Sequence, residues 1–327
     1  MGQNFSTNRR FPNYLPKTPK AKMIFAVVIV IYVVVLISLA ICAHFQQIDA
    51  NADFKCGVVS EQSSSLIING TEAPLGFVPW YVAVKRRESR IPNCGATIIS
   101  SQWVVTAAHC HLCLPTSDNP DCMIVVAGSQ SALDNSAGTV HNVIEFHPFS
   151  KNDTQRDNDI ALMRVDPPFQ YRKHGTGDER AIGPVCLPEA GSKVTETDAV
   201  TSGLGGNSIF HETTPSRLMT VKIKIIKWTD CWNFCFRYPN PPVFNERFMI
   251  CAGTVEECKG NCKGDSGGPL TVLRNKEVTL VGVVAASTRS GCGTSTANYM
   301  NVASYREWIK KVTNLIKQDV KNKTDNQ

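Results

Sequence analysis

The 327-residue sequence lacks an overall excess of either charge. It carries 34 Lys and Arg against 28 Asp and Glu, but five of the bases fall within the first 22 residues, which contain no acid. Without that tail the counts are 29 and 28, so no basic surface for nucleic acid is indicated. Hydrophobic residues make up 43% and charged residues 19%, which excludes wholesale disorder and allows a sizeable core.

Internal repeats are absent, and long apolar runs are rare. The one such run, Met23–Ala43, holds no charge and would span roughly 30 Å as a helix, which is the thickness of a bilayer core. A buried core helix is an alternative, but the run is apolar all round. A cleaved signal peptide is the other alternative, although its apolar core is usually about 7–15 residues long. Because the bases precede the run, the sequence predicts a signal anchor whose C-terminal bulk lies outside the cytoplasm.

The anchor divides the chain into five predicted segments. They are a cytoplasmic tail (1–22), a transmembrane helix (23–43), a short stem or propeptide (44–66), a main exterior domain (67–317) and a polar tail (318–327). The predicted location is the plasma membrane, with a single pass in type II orientation and the main domain extracellular. Secretion is the alternative topology.

Thirteen cysteines are too many for a typical cytosolic chain and indicate an oxidising compartment. Cys42 lies in the predicted anchor. The remaining 12 form an even number, as a disulfide framework requires. A metal site built from some of these cysteines is the alternative, but the exterior location favours oxidation.

Residues after Ile67 form short β-type runs separated by turn residues, which predicts an antiparallel all-β sandwich or a pair of barrels. The runs are Trp80–Lys85, Thr97–Ile99, Trp103–Ala107, Met123–Ala127, Ile160–Val165, Val221–Ile226 and Val278–Ala285. One helix is predicted near the end, where Ser304 and Glu307 form a capping box. Its apolar stripe comprises Tyr305, Trp308, Ile309, Val312 and Ile316.

The segment Gly264–Pro269, with the sequence GDSGGP, carries the strongest chemical signal. Glycines on both sides allow a turn that exposes the Ser266 hydroxyl and aims consecutive backbone amides at one point. A lone His109 at the end of the Thr106–Cys110 segment, or a lone Asp159 before an apolar run, would be structural in most proteins. A glycine-rich turn with an ordinary serine would not explain all three features together.

The order His109, Asp159, Ser266 resembles the chymotrypsin-like serine endopeptidases over about Ile67 to Lys317. The resemblance implies two antiparallel six-stranded β-barrels with a C-terminal helix, preceded here by the transmembrane helix. It makes Ser266 the nucleophile that forms an acyl-enzyme, with His109 as general base and Asp159 as the group that orients it. The amides of Gly264 and Ser266 would bind the oxyanion. No cofactor or metal is implied, since residues 127–140 hold a single acid.

The same resemblance implies a zymogen. Ile67 and the three residues after it resemble the new N-terminus of an activated enzyme, and Asp265 would be its buried partner. Cleavage would fall between Leu66 and Ile67. A basic residue usually precedes this bond, so a trypsin-like activator is unsuitable and an activator that prefers Leu is expected.

Disulfide pairs also follow from the resemblance. It pairs Cys94 with Cys110, Cys262 with Cys292, Cys231 with Cys251, and Cys56 with Cys186. A further pair common in the family is absent, since its positions hold Ala199 and Val272. Of the remaining cysteines, Cys113 and Cys122 would close a local loop and Cys235 would pair with Cys258. Cys235 could instead take the place of Cys231 as the partner of Cys251.

The primary pocket lacks the acid that would select Arg or Lys. By resemblance, Gly260 forms its floor, and Ala285, Ser287 and Ala297 contribute to its wall. This predicts a preference for small or medium aliphatic P1 residues, with an extension to Leu as a further hypothesis. If Leu fits, the enzyme could cleave its own Leu66–Ile67 bond.

Three exterior sequons begin at Asn69, Asn152 and Asn322, which predicts a glycoprotein. The expected partners are protein or peptide substrates, the membrane through one helix, and inhibitors of the serpin or Kunitz type. The competing hypothesis is a catalytically silent homologue that acts as an extracellular binding module. A pocket wall that departs from the usual family segment and the missing basic residue before the activation bond favour that hypothesis. The complete triad and the glycine-rich loop favour the enzyme.

Overall fold

The structure is a computed structural model, and it describes twelve stretches of the chain. They are residues 18–50, 54–58, 71–74, 76–113, 122–131, 138–150, 158–172, 181–206, 217–229, 245–254, 261–287 and 296–313. The chain divides into two compact units, Met1–Asp53 and Phe54–Gln327.

The first unit contains helix α1, Pro19–Ala50. The Thr18 hydroxyl accepts a hydrogen bond from the Ala21 amide at 3.2 Å, and proline suits the first helical position. The segment Pro19–Leu39 has a mean hydropathy of 2.8 and is long and apolar enough to cross a membrane. The helix continues seven residues into the predicted stem, because residues 44–50 contain neither glycine nor proline.

The second unit contains thirteen described strands. They are β1 (Thr71–Glu72), β2 (Tyr81–Arg86), β3 (Cys94–Ser100), β4 (Trp103–Thr106), β5 (Met123–Ala127), β6 (Thr139–Pro148), β7 (Ala161–Asp166), β8 (Asp198–Gly203), β9 (Met219–Ile226), β10 (Met249–Gly253), β11 (Pro269–Arg274), β12 (Glu277–Ser287) and β13 (Ala297–Asn301).

Two closed antiparallel barrels are built from these strands. The first has the order β2-β3-β4-β7-β6-β5, and the second has the order β9-β10-β13-β12-β11-β8, with β8 pairing back to β9 and β1 added beside β9. Closure leaves no free sheet edge within either ring. The predicted all-β fold of two six-stranded barrels is therefore confirmed.

Each run predicted from apolar residues lies within or overlaps a strand, but five barrel strands were not predicted. β6 is an instructive case, because only two of its ten residues are buried and its apolar pattern is therefore weak. β8, Asp198–Gly203, contains one large apolar side chain. Pairing with neighbours, rather than local pattern, places these segments in the barrels.

Helix α2, Val302–Thr313, closes the described chain. The predicted capping box is wrong, because the helix begins directly after β13 and Ser304 lies inside its first turn. The Ser304 hydroxyl donates to the Arg247 carbonyl oxygen instead. The apolar stripe faces the core through Tyr305 and Ile309, both fully buried, while Ile316 lies outside the described residues.

Ala199 and Val272 both belong to the core of the second barrel. The register of β8 and β11 pairs Val200 with Thr271, so the antiparallel continuation places Ala199 opposite Val272. Both side chains are nearly inaccessible to solvent. Apolar contact thus occupies the place where the resemblance would put a disulfide.

A double substitution, Ala199→Cys with Val272→Cys, should form a disulfide, because directly opposed strand residues have Cα atoms about 4.5–5.5 Å apart. We expect a gain in unfolding free energy of about 2–4 kcal/mol, measured by urea denaturation and lost on reduction. Each single cysteine variant serves as the control. A double variant that keeps two free thiols under oxidising conditions would contradict this register.

Candidate active site

His109 lies at the end of a buried strand of the first barrel. β4 ends at Thr106, and residues Ala108–Cys110 form a single 3₁₀ turn. Cys110, which directly follows His109, forms a disulfide with Cys94 on β3. A covalent link and a buried strand therefore fix the main chain on either side of the histidine, while its side chain is 43% exposed.

Asp159 holds His109 by two contacts. Its Oδ2 lies 2.6 Å from His109 Nδ1, and its Oδ1 accepts a hydrogen bond from the His109 backbone amide at 2.9 Å. The Asp159 side chain is 16% exposed. A carboxylate at Nδ1 favours the tautomer that carries a proton there, which leaves Nε2 as the basic nitrogen.

The Ser266 loop meets the first barrel through its main chain. The Gly95 amide donates to the Ser266 carbonyl oxygen at 2.8 Å, and Cys110 Sγ lies 3.6 Å from the same oxygen. Serine 266 is thus brought beside the residue that follows His109. The described contacts do not include a hydrogen bond between the Ser266 hydroxyl and His109.

Gly267 allows this close approach. Its φ is +79°, and a Cβ atom there would lie 2.2 Å from Thr106 Oγ1 and 2.4 Å from the Gly95 carbonyl oxygen. These two atoms already form a hydrogen bond of 2.8 Å. Any side chain at residue 267 would therefore separate the serine loop from the strand that leads to His109.

Two amides of the loop point to no protein acceptor within the described residues. The amides of Asp265, Gly267 and Gly268 donate to the carbonyl oxygens of Cys262, Val284 and Asp265, respectively. The amides of Gly264 and Ser266 have no such bond in the part of the chain that the structure describes. They are the two donors that the resemblance assigns to an oxyanion.

Asp265 has an enclosed carboxylate, although the residue as a whole is only partly buried. Its Oδ1 accepts from the Gly205 amide at 2.7 Å and its Oδ2 from the Cys262 amide at 2.8 Å. A Cβ atom on Gly203 would fall 1.9 Å from Oδ1, so glycine is required there. Burial raises the pKa of Asp265 to about 6, and the two amide hydrogen bonds counteract only part of that effect.

The predicted pocket residues fall into two groups. Ala285 and Ala297 are buried, and Ser287 pairs with Ala297 across β12 and β13. Gly260 lies outside the described residues. The neighbouring Asn261 is described and buried, and its Oδ1 accepts a hydrogen bond from the Tyr299 hydroxyl at 2.9 Å. Nothing in the local sequence pattern singles out this polar pair.

Three disulfides are described, namely Cys56–Cys186, Cys94–Cys110 and Cys113–Cys122. Cys251 and Cys262 are also disulfide-bonded. Their expected partners, Cys231 and Cys292, lie outside the described residues, as do Cys235 and Cys258. The activation residues Leu66 and Ile67 and the sequons at Asn69, Asn152 and Asn322 lie outside them too.

Asn158 and Tyr305 are further residues near the site that the sequence reasoning missed. The Tyr305 hydroxyl donates to Asn158 Oδ1 at 3.1 Å, and Asn158 directly precedes Asp159. The available signal was the phenol within the predicted apolar stripe, because a buried tyrosine hydroxyl usually finds a hydrogen-bond partner.

The double barrel and the paired His109 and Asp159 are features of a serine protease fold. Residues 67–309 match the family described as Trypsin. The chain therefore belongs to the trypsin family of serine proteases, as the resemblance predicted.

Individual relatives agree with this assignment. The chain is 28% identical over 271 residues to the ovochymase of Halocynthia roretzi, covering 80% of this chain. It is 31% identical over 238 residues to ovochymase-2 of Mus musculus, covering 72% of this chain. The matched regions span 16% and 36% of the lengths of those two proteins, respectively.

The raised pKa of Asp265 predicts a pH dependence of stability in the unprocessed chain. The folded pKa of about 6 exceeds the usual 3.8, so the stability contribution is complete only below the unfolded pKa and is lost as the pH rises through the folded pKa. The stability of wild type minus that of Asp265→Asn should therefore fall by about 2.5 kcal/mol between pH 4 and pH 7.5.

The measurement is urea unfolding across this pH range in a Ser266→Ala background, which prevents self-cleavage. Using the difference between the two proteins cancels the other titrating groups. A difference that is flat with pH would contradict an enclosed, proton-binding carboxyl.

Proposed function

We propose that this protein is a membrane-anchored serine endopeptidase that is made as a zymogen and hydrolyses peptide bonds through an acyl-enzyme. The observation that carries the proposal is the 2.6 Å contact between His109 Nδ1 and Asp159 Oδ2, next to a serine loop joined to the same barrel. A pair in this arrangement can turn a weakly nucleophilic hydroxyl into a reactive one.

In the proposed reaction, Ser266 Oγ adds to the carbonyl carbon of the substrate while His109 Nε2 takes its proton. The C–N bond then breaks, and His109 gives that proton to the departing amine. Water then adds to the acyl carbon while His109 takes its proton. The bond from that carbon to Ser266 Oγ breaks, His109 returns the proton to Oγ, and the acid leaves. Asp159 stabilises the imidazolium formed in both halves. Because catalytic hydrogen bonds often tighten only with substrate bound, the hydroxyl need not contact His109 in the free protein.

The proposed oxyanion site is formed by the backbone amides of Gly264 and Ser266. Both lie in the turn shaped by the positive φ values of Gly264 and Gly267, and neither has an internal acceptor among the described residues. Fixed donors of this kind stabilise the charge that develops on the carbonyl oxygen, and removing one typically costs about 10²–10³-fold in turnover.

We propose a P1 preference for small or medium aliphatic residues, extending to Leu. The support is the absence of an acid at Gly260 together with the apolar Ala285 and Ala297, which are both buried. Without a carboxylate, a Lys or Arg side chain would lose its hydration with no compensating partner. Serpin- or Kunitz-like inhibitors would be expected to occupy the same pocket.

Activation is proposed to follow cleavage between Leu66 and Ile67. The new ammonium would pair with Asp265, whose carboxylate is otherwise met by only two amides within the described residues. A buried carboxylate gains much from such a partner, so the pair can act as a switch that orders the adjacent Ser266 loop.

Helix α1 is proposed to anchor the enzyme in the plasma membrane with its catalytic domain outside. The Cys56–Cys186 disulfide would keep the cleaved domain attached to the stem. If α1 were instead a removed signal peptide, the same domain would be secreted. Glycosylation at the three sequons would fit either location.

The proposed triad predicts the rate of peptide hydrolysis by a variant that trypsin can activate. Leu66→Arg places a trypsin-sensitive bond before Ile67, and the processed protein should hydrolyse peptides with Ala, Val or Leu at P1 but not with Arg or Lys. In this background Ser266→Ala and Asp159→Asn should each lower kcat about 10⁴-fold or more. Ser89→Ala, on an exposed turn, should have no effect.

If the processed parent hydrolyses peptides no faster than the Ser266→Ala variant, the triad is contradicted and the silent binding module is favoured. Cleavage after Arg or Lys that is faster than cleavage after Leu would contradict the proposed pocket but not the triad. Because the trypsin added for processing also cleaves after Arg and Lys, its own rate is measured separately and subtracted.

Self-activation predicts a second result. Purified full-length Ser266→Ala should stay intact at Leu66–Ile67, because it lacks the nucleophile, while added processed wild-type enzyme should cut that bond. N-terminal sequencing beginning at Ile67 is the measurement. Processing of purified Ser266→Ala at the wild-type rate would rule out self-activation and leave a separate activator.

A further inference from the structure

Tyr305 places a buried hydroxyl beside the turn that carries Asp159. The side chain lies on α2 and is fully buried. Its hydroxyl donates to Asn158 Oδ1 at 3.1 Å, and this contact joins residues 147 positions apart in sequence. The C-terminal helix therefore contacts the acid's turn through a directional bond as well as through packing.

The turn itself is short and is held on both sides. The Ile160 amide donates to the Asn158 carbonyl oxygen at 2.8 Å, and the Ile160 carbonyl oxygen accepts from the Phe149 amide at 3.0 Å. The Phe149 ring in turn packs edge-to-face on Tyr305, with centroids 4.9 Å apart. Asp159 thus lies between Asn158, which Tyr305 contacts directly, and Ile160, which is hydrogen-bonded to the residue that packs on Tyr305.

We propose that Tyr305 is a positioning residue that acts through Asn158 to keep Asp159 at its contact with His109. This inference rests on the proposed function, since it concerns the same triad. Without the hydroxyl, the Asn158 side chain loses an anchor and the carboxylate can move away from the 2.6 Å contact with Nδ1. The imidazole would then be held less well in its productive orientation.

The contribution of the Tyr305 hydroxyl can be tested separately from the packing of its ring. Tyr305→Phe keeps the aromatic packing on Phe149 and on Phe248, whose ring centroid lies 5.7 Å from that of Tyr305. Met300 Sδ lies 3.6 Å from the hydroxyl, so Asn158→Ala would leave Tyr305 with a weak alternative acceptor. In Tyr305→Phe the oxygen left behind belongs to Asn158, which is only partly buried, so neither substitution encloses an unpaired polar group in the core.

The test uses the full chain carrying Leu66→Arg, processed by trypsin and assayed with a Leu-P1 peptide. Tyr305→Phe and Asn158→Ala should each lower kcat about 10-fold while KM stays within twofold, because orientation within the triad is lost but the pocket is not. The double variant should be no worse than either single variant, since both break the same link.

Thr313→Val is the matched control. It removes another buried hydroxyl of α2, which donates to the Ile309 carbonyl oxygen within the same helix. Thr313 lies about two turns along α2 from Tyr305, the residue that contacts Asn158. Its kcat should equal that of the parent. Thermal unfolding midpoints of all variants, measured in parallel, separate a loss of positioning from a loss of folded protein.

An unchanged kcat in Tyr305→Phe, with the parent active, would overturn the positioning role alone. So would multiplicative losses in the double variant, or a loss that merely follows the unfolded fraction. A parent with no Ser266-dependent hydrolysis would overturn the proposed function, and the positioning role would fall with it.

Discussion

The hydrogen bond from the Gly95 amide to the Ser266 carbonyl oxygen is the contact on which the rest of the site depends. At 2.8 Å it joins the first barrel to the serine loop of the second barrel. It can form only because residue 267 has no side chain, since a Cβ there would overlap Thr106 and Gly95. The serine loop is thus held against a strand of the first barrel by a main-chain contact, the kind of support that holds a site's geometry well.

Two aspartates near this junction occupy different environments and suit different roles. Asp159 is partly accessible and is directed at His109, which suits the orienting role that the proposed triad gives it. Asp265 is enclosed, and burial raises its pKa to about 6. A carboxyl that is costly to ionise is suited to respond to a new positive charge, which is the property that the proposed activation requires.

The family could be predicted from the sequence, because its motifs reside in short segments. The glycines around Ser266 and the positions of His109 and Asp159 carry the resemblance, and residues 67–309 match the family. β6 could not be predicted, because its residues are mostly half-buried and its place in the barrel is set by pairing with β5 and β7. The start of α2 was mispredicted because Ser304 contacts Arg247, which is distant in sequence.

Long-range contacts account for the other omissions. Tyr305 was predicted to be an apolar helix position, and its ring does pack in the core, but the partner of its hydroxyl is 147 residues away. Local patterns report periodicity and capping, and they contain no information on which distant turn a buried hydroxyl will meet.

The most direct test of the central claim is to locate the residue that an alkyl fluorophosphonate modifies in the processed full-length chain. Mass spectrometry of the digested adduct should find phosphonylation at Ser266 alone, and His109→Ala should abolish it while the protein remains folded. Modification that is absent from the processed wild-type chain, or that persists unchanged in His109→Ala, would contradict an activated serine at this junction.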